Sequence, residues 1–190
     1  MWFASPTRPA AQRPAPWPRD PARPPLRRQA RFLCDALFGA LAMVAIHAFV
    51  IQVSIVRGDS MEPALHDGDR LVVDRVTYNL ADVGRGDVVV LRYPRNPEVD
   101  FVKRVVALPG DEVALRDGVL LVNGAACDDY GCIRDQADMP RLRVPDGEFF
   151  VLGDNRPVSC DSREFGLVAE HLIKGRVRVR FWPLEAASVF

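Results

Sequence analysis

The chain is 190 residues long, 48% hydrophobic and 26% charged, with a formal net charge of zero. That length holds one domain of moderate size plus appendages, and the composition is that of a folded protein rather than a wholly disordered one. The zero charge conceals a division: residues 1–31 carry seven arginines against the single acid Asp20, so the remainder is acidic by the same amount.

Residues 1–31 also hold eight of the sixteen prolines. Such a segment buries too little apolar surface to offset its ordering entropy, and a disordered tail is expected there. The chain then turns apolar from Phe32 to Val56, interrupted by Asp35, His47, Gln52 and Ser54. About 20 mostly apolar residues cross a bilayer, and a transmembrane helix is expected over 32–54. The basic flank stays in the cytoplasm. Residues 55–190 are therefore expected outside it, in a single-pass protein of the inner or plasma membrane. A cleaved signal peptide shares the basic start and apolar core. This run is long for one, however, and has no small-x-small pair at its outer end. A buried core helix sits badly behind a Pro/Arg-rich lead. His47 is costly in lipid, and a neutral imidazole tolerated by the span is the simpler reading.

After Val56 the pattern changes to period two. Residues 70–75, 87–92 and 101–107 read as strands. Residues 112–116 and 119–122 flank Asp117-Gly118, a dipeptide that favours a type I′ hairpin turn. Residues 148–152 and 175–181 complete the set. Long helical periodicity is absent beyond the apolar run, and no internal repeat is present. The expected fold is mainly β: packed antiparallel sheets or a barrel-like domain behind one N-terminal helix.

Lys103 stands in the strand over 101–107. Alternation places Phe101, Lys103 and Val105 on one face and Val102, Arg104 and Val106 on the other. Desolvation between apolar neighbours disfavours the ammonium and lowers its pKa, and a neutral amine is a general base. Composition adds to this: among the 25 basic residues only Lys103 and Lys174 are lysines. Arginine serves wherever a fixed cation suffices, whereas lysine can lose its proton. The plain alternative is a strand lysine that snorkels to water. Ser60 lies in Gly58-Asp59-Ser60-Met61-Glu62-Pro63, a sequence suited to a tight turn that exposes a hydroxyl and gathers backbone N–H groups. Those groups can hold an oxyanion. A turn-capping serine is the plain alternative.

The segment 153–163, Gly-Asp-Asn-Arg-Pro-Val-Ser-Cys-Asp-Ser-Arg, concentrates turn formers, two acids and two arginines. Its spacing excludes an EF-hand. Cys127 and Cys132 bracket a loop short enough for a disulfide outside the cytoplasm; two unrelated thiols are the other reading. Zinc is disfavoured because no second Cys/His pair has ligand spacing. A Ser-His-Asp triad using His66 or His171 is a weaker alternative to Lys103.

Taken together these segments resemble bacterial type I signal peptidases, the membrane-anchored Ser/Lys endopeptidases. The resemblance runs through Ser60-Met61-Glu62-Pro63-Ala64-Leu65 with Gly68-Asp69-Arg70-Leu71-Val72, then Arg85-Gly86-Asp87-Val88-Val89-Val90. It continues through 103–111, Lys-Arg-Val-Val-Ala-Leu-Pro-Gly-Asp, and ends in Gly153-Asp154-Asn155-Arg156, Ser159, Asp161-Ser162-Arg163 and Gly166. The boxes stand in the family's order over roughly residues 55–180. The likeness implies Ser60 as nucleophile, Lys103 as general base and Ser159 as the hydroxyl that helps orient the lysine amine. Ion pairs Asp161–Arg163 and Asp154–Arg104 are implied too, with an apolar surface against the membrane. Gly58 stands where some members carry an oxyanion-donating serine, leaving backbone N–H groups, chiefly that of Ser60 with Gly58 and Met61 beside it. Pro157-Val158 replaces a more usual polar pair. Only 50 positions separate Lys103 from Gly153, so any accessory insertion is small. Cys160, beside Ser159, is expected as a small buried residue.

The implied reaction is removal of signal peptides from exported preproteins, cut after small side chains of the Ala-x-Ala kind. No metal or cofactor is required. The expected partners are the preprotein and the lipid bilayer. A self-cleaving repressor would need a DNA-binding domain, which the N-terminus does not offer, so no nucleic-acid partner is expected. The alternatives are a Ser/Lys maturation peptidase with narrow clients, of conjugation or organelle type, and an inactive membrane-tethered binding protein.

Overall fold

The computed structural model describes residues 26–49, 51–75, 83–127 and 130–190, with side chains described over 30–44 and from residue 52 onward within those ranges. The expected tail over 1–25 and the side chain of His47 lie outside them. The chain divides into two compact units, residues 1–42 and 43–190.

Helix α1 spans Leu26–Phe49. It begins inside the segment expected as tail and stops short of the end of the expected span. Ile51–Ile55 instead form strand β1. The reason lies in Ile51-Gln52-Val53-Ser54-Ile55, which alternates in period two and pairs antiparallel with β2, Arg70–Asp74. Among the described residues no helix is long and apolar enough to cross a membrane.

The remaining strands follow in chain order: β3 Val88–Tyr93, β4 Asn96–Ala107, β5 Glu112–Arg116, β6 Val119–Val122, β7 Ala125–Ala126 and β8 Met139–Arg143. After them come β9 Glu148–Leu152, β10 Val168–Ala169, β11 Ile173–Trp182 and β12 Ser188–Val189. A short helix α2, Ser162–Phe165, precedes β10. The larger sheet is ordered β1-β2-β11-β3-β4-β9-β10 with β12 added to β11, and the smaller is β7-β6-β5-β8. All paired strands are antiparallel. The large sheet has an open order with β1 and β10 at its ends, so sheet packing and not barrel closure describes the domain.

Strand β3 shows how this sequence builds a covered sheet. Its run Val88-Val89-Val90-Leu91 is buried throughout because both faces of a central strand are packed. Val88 and Val90 join Val56, Met61, Leu65, Leu71, Val73 and Val177 on one side. Val89 and Leu91 join Val105, Phe149, Val151, Val168 and Ile173 on the other. The small sheet closes over the end of β4 and β9, where Val113, Leu115, Leu120 and Val122 meet Val106, Ala107, Phe150 and Leu152. A register shift in β4 between Val105 and Ala107 lies beyond Lys103. The alternation that sets the lysine's face is therefore intact up to that point.

The β5–β6 hairpin turns at Asp117 and Gly118, whose φ values are 47° and 74°, as a type I′ turn demands. Gly118 is needed twice over, since a Cβ there would stand 1.8 Å from the Asp135 carbonyl oxygen.

Candidate active site

Two loops and one strand converge on Ser60. The first loop, 56–69, leaves β1 and enters β2. It is closed at its base by Val56 N–H donating to the Asp69 carbonyl (2.9 Å) and Gly68 N–H donating to the Val56 carbonyl (3.0 Å). Met61 and Leu65, both fully buried, anchor its middle in the core, and Leu65 N–H donates to the Met61 carbonyl at 2.9 Å. Ser60 sits just before the first anchor and stays half-exposed.

Strand β4 supplies Lys103, which is 3% exposed. Its Nζ donates to Ser60 Oγ at 2.7 Å and to the Val102 carbonyl at 3.0 Å. The amine also lies 5.2 Å from the centre of the Phe101 ring. Burial lowers the lysine pKa from 10.5 to about 8, overcoming the opposing pull of Asp161, Cys160 and Asp154. Near neutrality a useful fraction of this amine is uncharged, which an exposed lysine cannot offer.

The second loop, 153–163, forms the back of the site. Gly153 packs so tightly that a Cβ there would lie 2.2 Å from Ser159 Oγ and 2.4 Å from the Ser60 carbonyl oxygen. Asn155 grips the nucleophile turn from behind: its N–H donates to the Ser60 carbonyl (3.1 Å) and its Nδ2 to the Asp59 carbonyl (3.2 Å). Asp161 caps α2 by accepting from Arg163 N–H and also accepts from Gly153 N–H at 3.1 Å. Its carboxylate pairs with the Arg163 guanidinium at 2.8 Å. Beside Lys103, Arg104 points to the opposite face of β4. It forks onto both oxygens of Asp154 at 2.8 and 2.6 Å and donates to the Gly86 carbonyl at 2.8 Å. The Tyr130 ring covers that guanidinium at 4.8 Å.

A groove of about 480 Å³ opens over the dyad. Residues 52–57 of β1 and its exit form one wall, 100–103 of β4 another, and Val158 with Cys160 bound its end near Ser60 and Met61.

The family described as signal peptidase, peptidase S26, matches residues 29–182. The chain belongs to the signal peptidase family, peptidase S26. A probable signal peptidase I-2 of Synechocystis is 37% identical over 77% of this chain and 70% of its own length. The signal peptidase IB of Staphylococcus aureus is 38% identical over 72% of this chain and 81% of its own. A signal peptidase I crystal structure from Enterococcus faecalis aligns at 34% identity over 50% of this chain and 97% of that one, with a TM-score of 0.46. Membership makes this chain a serine endopeptidase, a hydrolase.

Within this signal peptidase the expected site residues do not all stand where the sequence suggested. Ser159 Oγ is buried and has no hydrogen-bond partner among the described residues. Lys103 Nζ is directed at Ser60 Oγ and the Val102 carbonyl. Gly58 N–H donates to Asp67 Oδ1 at 2.8 Å and is thereby withdrawn from any oxyanion. Ser60 and Met61 N–H have no acceptor among the described residues. Among the described residues no disulfide joins Cys127 and Cys132. Cys127 lies against Tyr130, whose phenol burial and the Cys127 thiol push up in pKa. Cys160 is half-buried on the groove wall rather than enclosed, and burial raises its thiol pKa with Glu164 adding to the rise. His66 and His171 are exposed, and the Ser60 hydroxyl already has Lys103.

Three contributors escaped the sequence reading. Strand β1 was absorbed into the expected span, although its five-residue alternation was visible. Asn155 stands in the last family box, but nothing in the sequence marks its hold on the Ser60 turn. Asp135, from the loop between β7 and β8, pairs with Arg163 at 2.5 Å, and Ile133 bridges to Asn155. No local pattern marks either contact, because each is made across the two sheets.

Proposed function

We propose that this chain is a type I signal peptidase that cleaves signal peptides from exported preproteins, with Ser60 as nucleophile and Lys103 as general base. The observation that carries this reading is the 2.7 Å contact between Lys103 Nζ and Ser60 Oγ. It falls within the range for direct proton transfer.

The neutral amine of Lys103 takes the Ser60 proton as Oγ attacks the scissile carbonyl carbon. The Ser60 and Met61 N–H groups are the donors available to the developing oxyanion. Collapse of the tetrahedral intermediate breaks the C–N bond, and the lysine ammonium returns its proton to the leaving amine. The acyl-enzyme then carries the signal peptide on Ser60. Lys103, neutral again, removes a proton from water as it attacks the ester, and Ser60 is restored. This chemistry is complete with protein groups and water.

The substrate enters as an extended segment along β1, whose outer edge is unpaired among the described strands and can add one more strand. The groove floor beside Ser60 is apolar, with Val56, Met61, Val90, Phe101 and Val102, which favours small uncharged side chains before the cut, such as Ala-x-Ala. The apolar run from Phe32, behind its basic flank, serves as the tether to the lipid bilayer. On α1, Phe32, Leu33, Leu37, Phe38, Leu41, Met43 and Val44 are all exposed, apolar side chains that lipid would cover. In this reading the N-terminus is cytoplasmic and the peptidase domain stands outside the inner or plasma membrane. Holding enzyme and preprotein in one plane raises their effective concentration.

The test is cleavage of a detergent-solubilised preprotein by wild type, Ser60→Ala and Lys103→Arg, with folding checked by circular dichroism. Both variants are expected to be folded and inactive, since arginine cannot surrender its proton. Wild-type turnover by Lys103→Arg would end the base assignment.

A further inference from the structure

Strand β11 carries three arginines at alternate positions, each opposite an aspartate. Arg176 pairs with Asp87 at 3.1 Å, Arg178 with Asp74 at 3.3 Å and Arg180 with Asp69 at 3.0 Å. The first two arginine side chains are 32% and 36% exposed, the third only 13%, against an aspartate that is 5% exposed. Solvent screens the outer pairs, whereas the third is held in a drier setting.

That third pair does more than join two strands. Arg180 Nη1 donates to Asp69 Oδ2 and to the Ala64 carbonyl, both at 3.0 Å. Asp69 Oδ2 in turn accepts from His66 N–H at 2.9 Å. One guanidinium therefore grips the 56–69 loop, three residues after Met61 and again at its end. Its Nε donates to the Ala186 carbonyl at 2.6 Å, which ties the same loop to the chain beyond β11. There a 3₁₀ turn, Leu184–Ala186, leads into β12, which lies antiparallel on β11. Phe190 follows, its N–H donating to the Arg178 carbonyl at 3.0 Å. Its ring packs against the apolar cluster that contains Met61 and Leu65. Polar and apolar contacts thus reach the nucleophile loop independently from one segment. The family match ends at residue 182, so 183–190 lies beyond the part of the chain it describes.

We propose that Arg180 is a positioning residue for the nucleophile, pinning the Ser60 loop to a latch formed by residues 183–190. The proposal rests on Ser60 being the nucleophile. Arg180 touches no reacting atom; it acts through the Ala64 carbonyl and Asp69. Because a misplacement of about 1 Å at a reacting group can cost roughly a hundredfold in rate, a loop held at one end only should turn over slowly while binding substrate normally.

The test uses full-length protein in detergent with a peptide substrate. Arg180→Gln is expected to lower kcat about thirtyfold with KM changed less than about twofold. Arg180→Lys, which keeps the charge facing Asp69 but cannot span three acceptors, should recover little of that loss, and recovery of most of it would overturn the latch in favour of a simple ion pair. Phe190→Ala should lower kcat about fivefold, and the two losses should not multiply in the double variant, since both act on one loop. Arg178→Gln, the neighbouring pair that leaves the loop alone, is the comparison and should stay within about twofold of wild type. Amide exchange gives a readout independent of activity: the Leu65, His66 and Gly68 N–H groups should exchange at least about tenfold faster in Arg180→Gln. If Arg180→Gln does not fold, Phe190→Ala carries the same two readouts. Unchanged kcat with only a lower Tm, or unchanged exchange at these three amides, overturns the latch. Absence of Ser60-dependent cleavage in wild type would instead sink the nucleophile reading, and the exchange rates would still decide the latch.

Discussion

Lys103 and Ser60 are 43 residues apart in the chain, yet Nζ and Oγ meet at 2.7 Å. The lysine comes from the buried half of a long strand and the serine from a loop nailed into the core by the residue that follows it. Neither group can drift without moving a packed neighbour, so the pair is preorganised rather than assembled on binding.

The pH dependence follows from that burial. With a pKa of about 8 for Lys103, kcat/KM should rise about tenfold per pH unit below that value and level off above it. A stopped assay from pH 5 to 10, with chemistry limiting, measures it. A flat profile over that range contradicts the base assignment.

The same burial has a stability consequence with a definite sign. The folded pKa of Lys103 is about 8 and the model-compound value 10.5, so between those values the unfolded chain binds more protons. Wild-type stability should therefore rise with pH through that window. Lys103→Met, inert but without a buried charge, should be more stable than wild type at pH 7 by about 1–3 kcal/mol. The gap should narrow by pH 10. Urea midpoints at the two pH values report both numbers; a gap that widens with pH reverses the sign and refutes the account.

Asp154 is buried and bound by both arms of Arg104. Asp154→Ala leaves a guanidinium stranded and should destabilise the domain by about 3 kcal/mol or more. Replacing both partners, Arg104→Met with Asp154→Leu, should recover most of it. Thermal unfolding of the three proteins tests this, and a loss under about 1 kcal/mol in the single variant would show the pair to be solvated.

Gly153→Ala adds one methyl where Ser159 Oγ and the Ser60 carbonyl oxygen stand 2.2 and 2.4 Å away. The strain must fall on the nucleophile turn, and activity should drop by about a hundredfold or more. A proteolysis-resistant Gly153→Ala protein with full activity would mean that the turn yields at no expense to Ser60.

Some of this protein was legible in its residues alone. Alternation assigned the central strands and put Lys103 between Phe101 and Val105. The scarcity of lysine singled that position out, and Asp117-Gly118 marked a turn that both positive φ values require. These are local properties, set by the two-residue period of a strand and by backbone sterics. Other features depended on partners far along the chain. The apolar stretch 51–55 became a strand only because β2 offers it a pairing edge. Gly58 N–H turned to Asp67, and Ser159 Oγ was left without a partner among the described residues. Asp135 found Arg163, and Arg180 reached the Ser60 loop. A hydrogen bond needs two groups within about 3 Å, and which groups meet at that range is decided by sheet order and packing, not by neighbours in sequence.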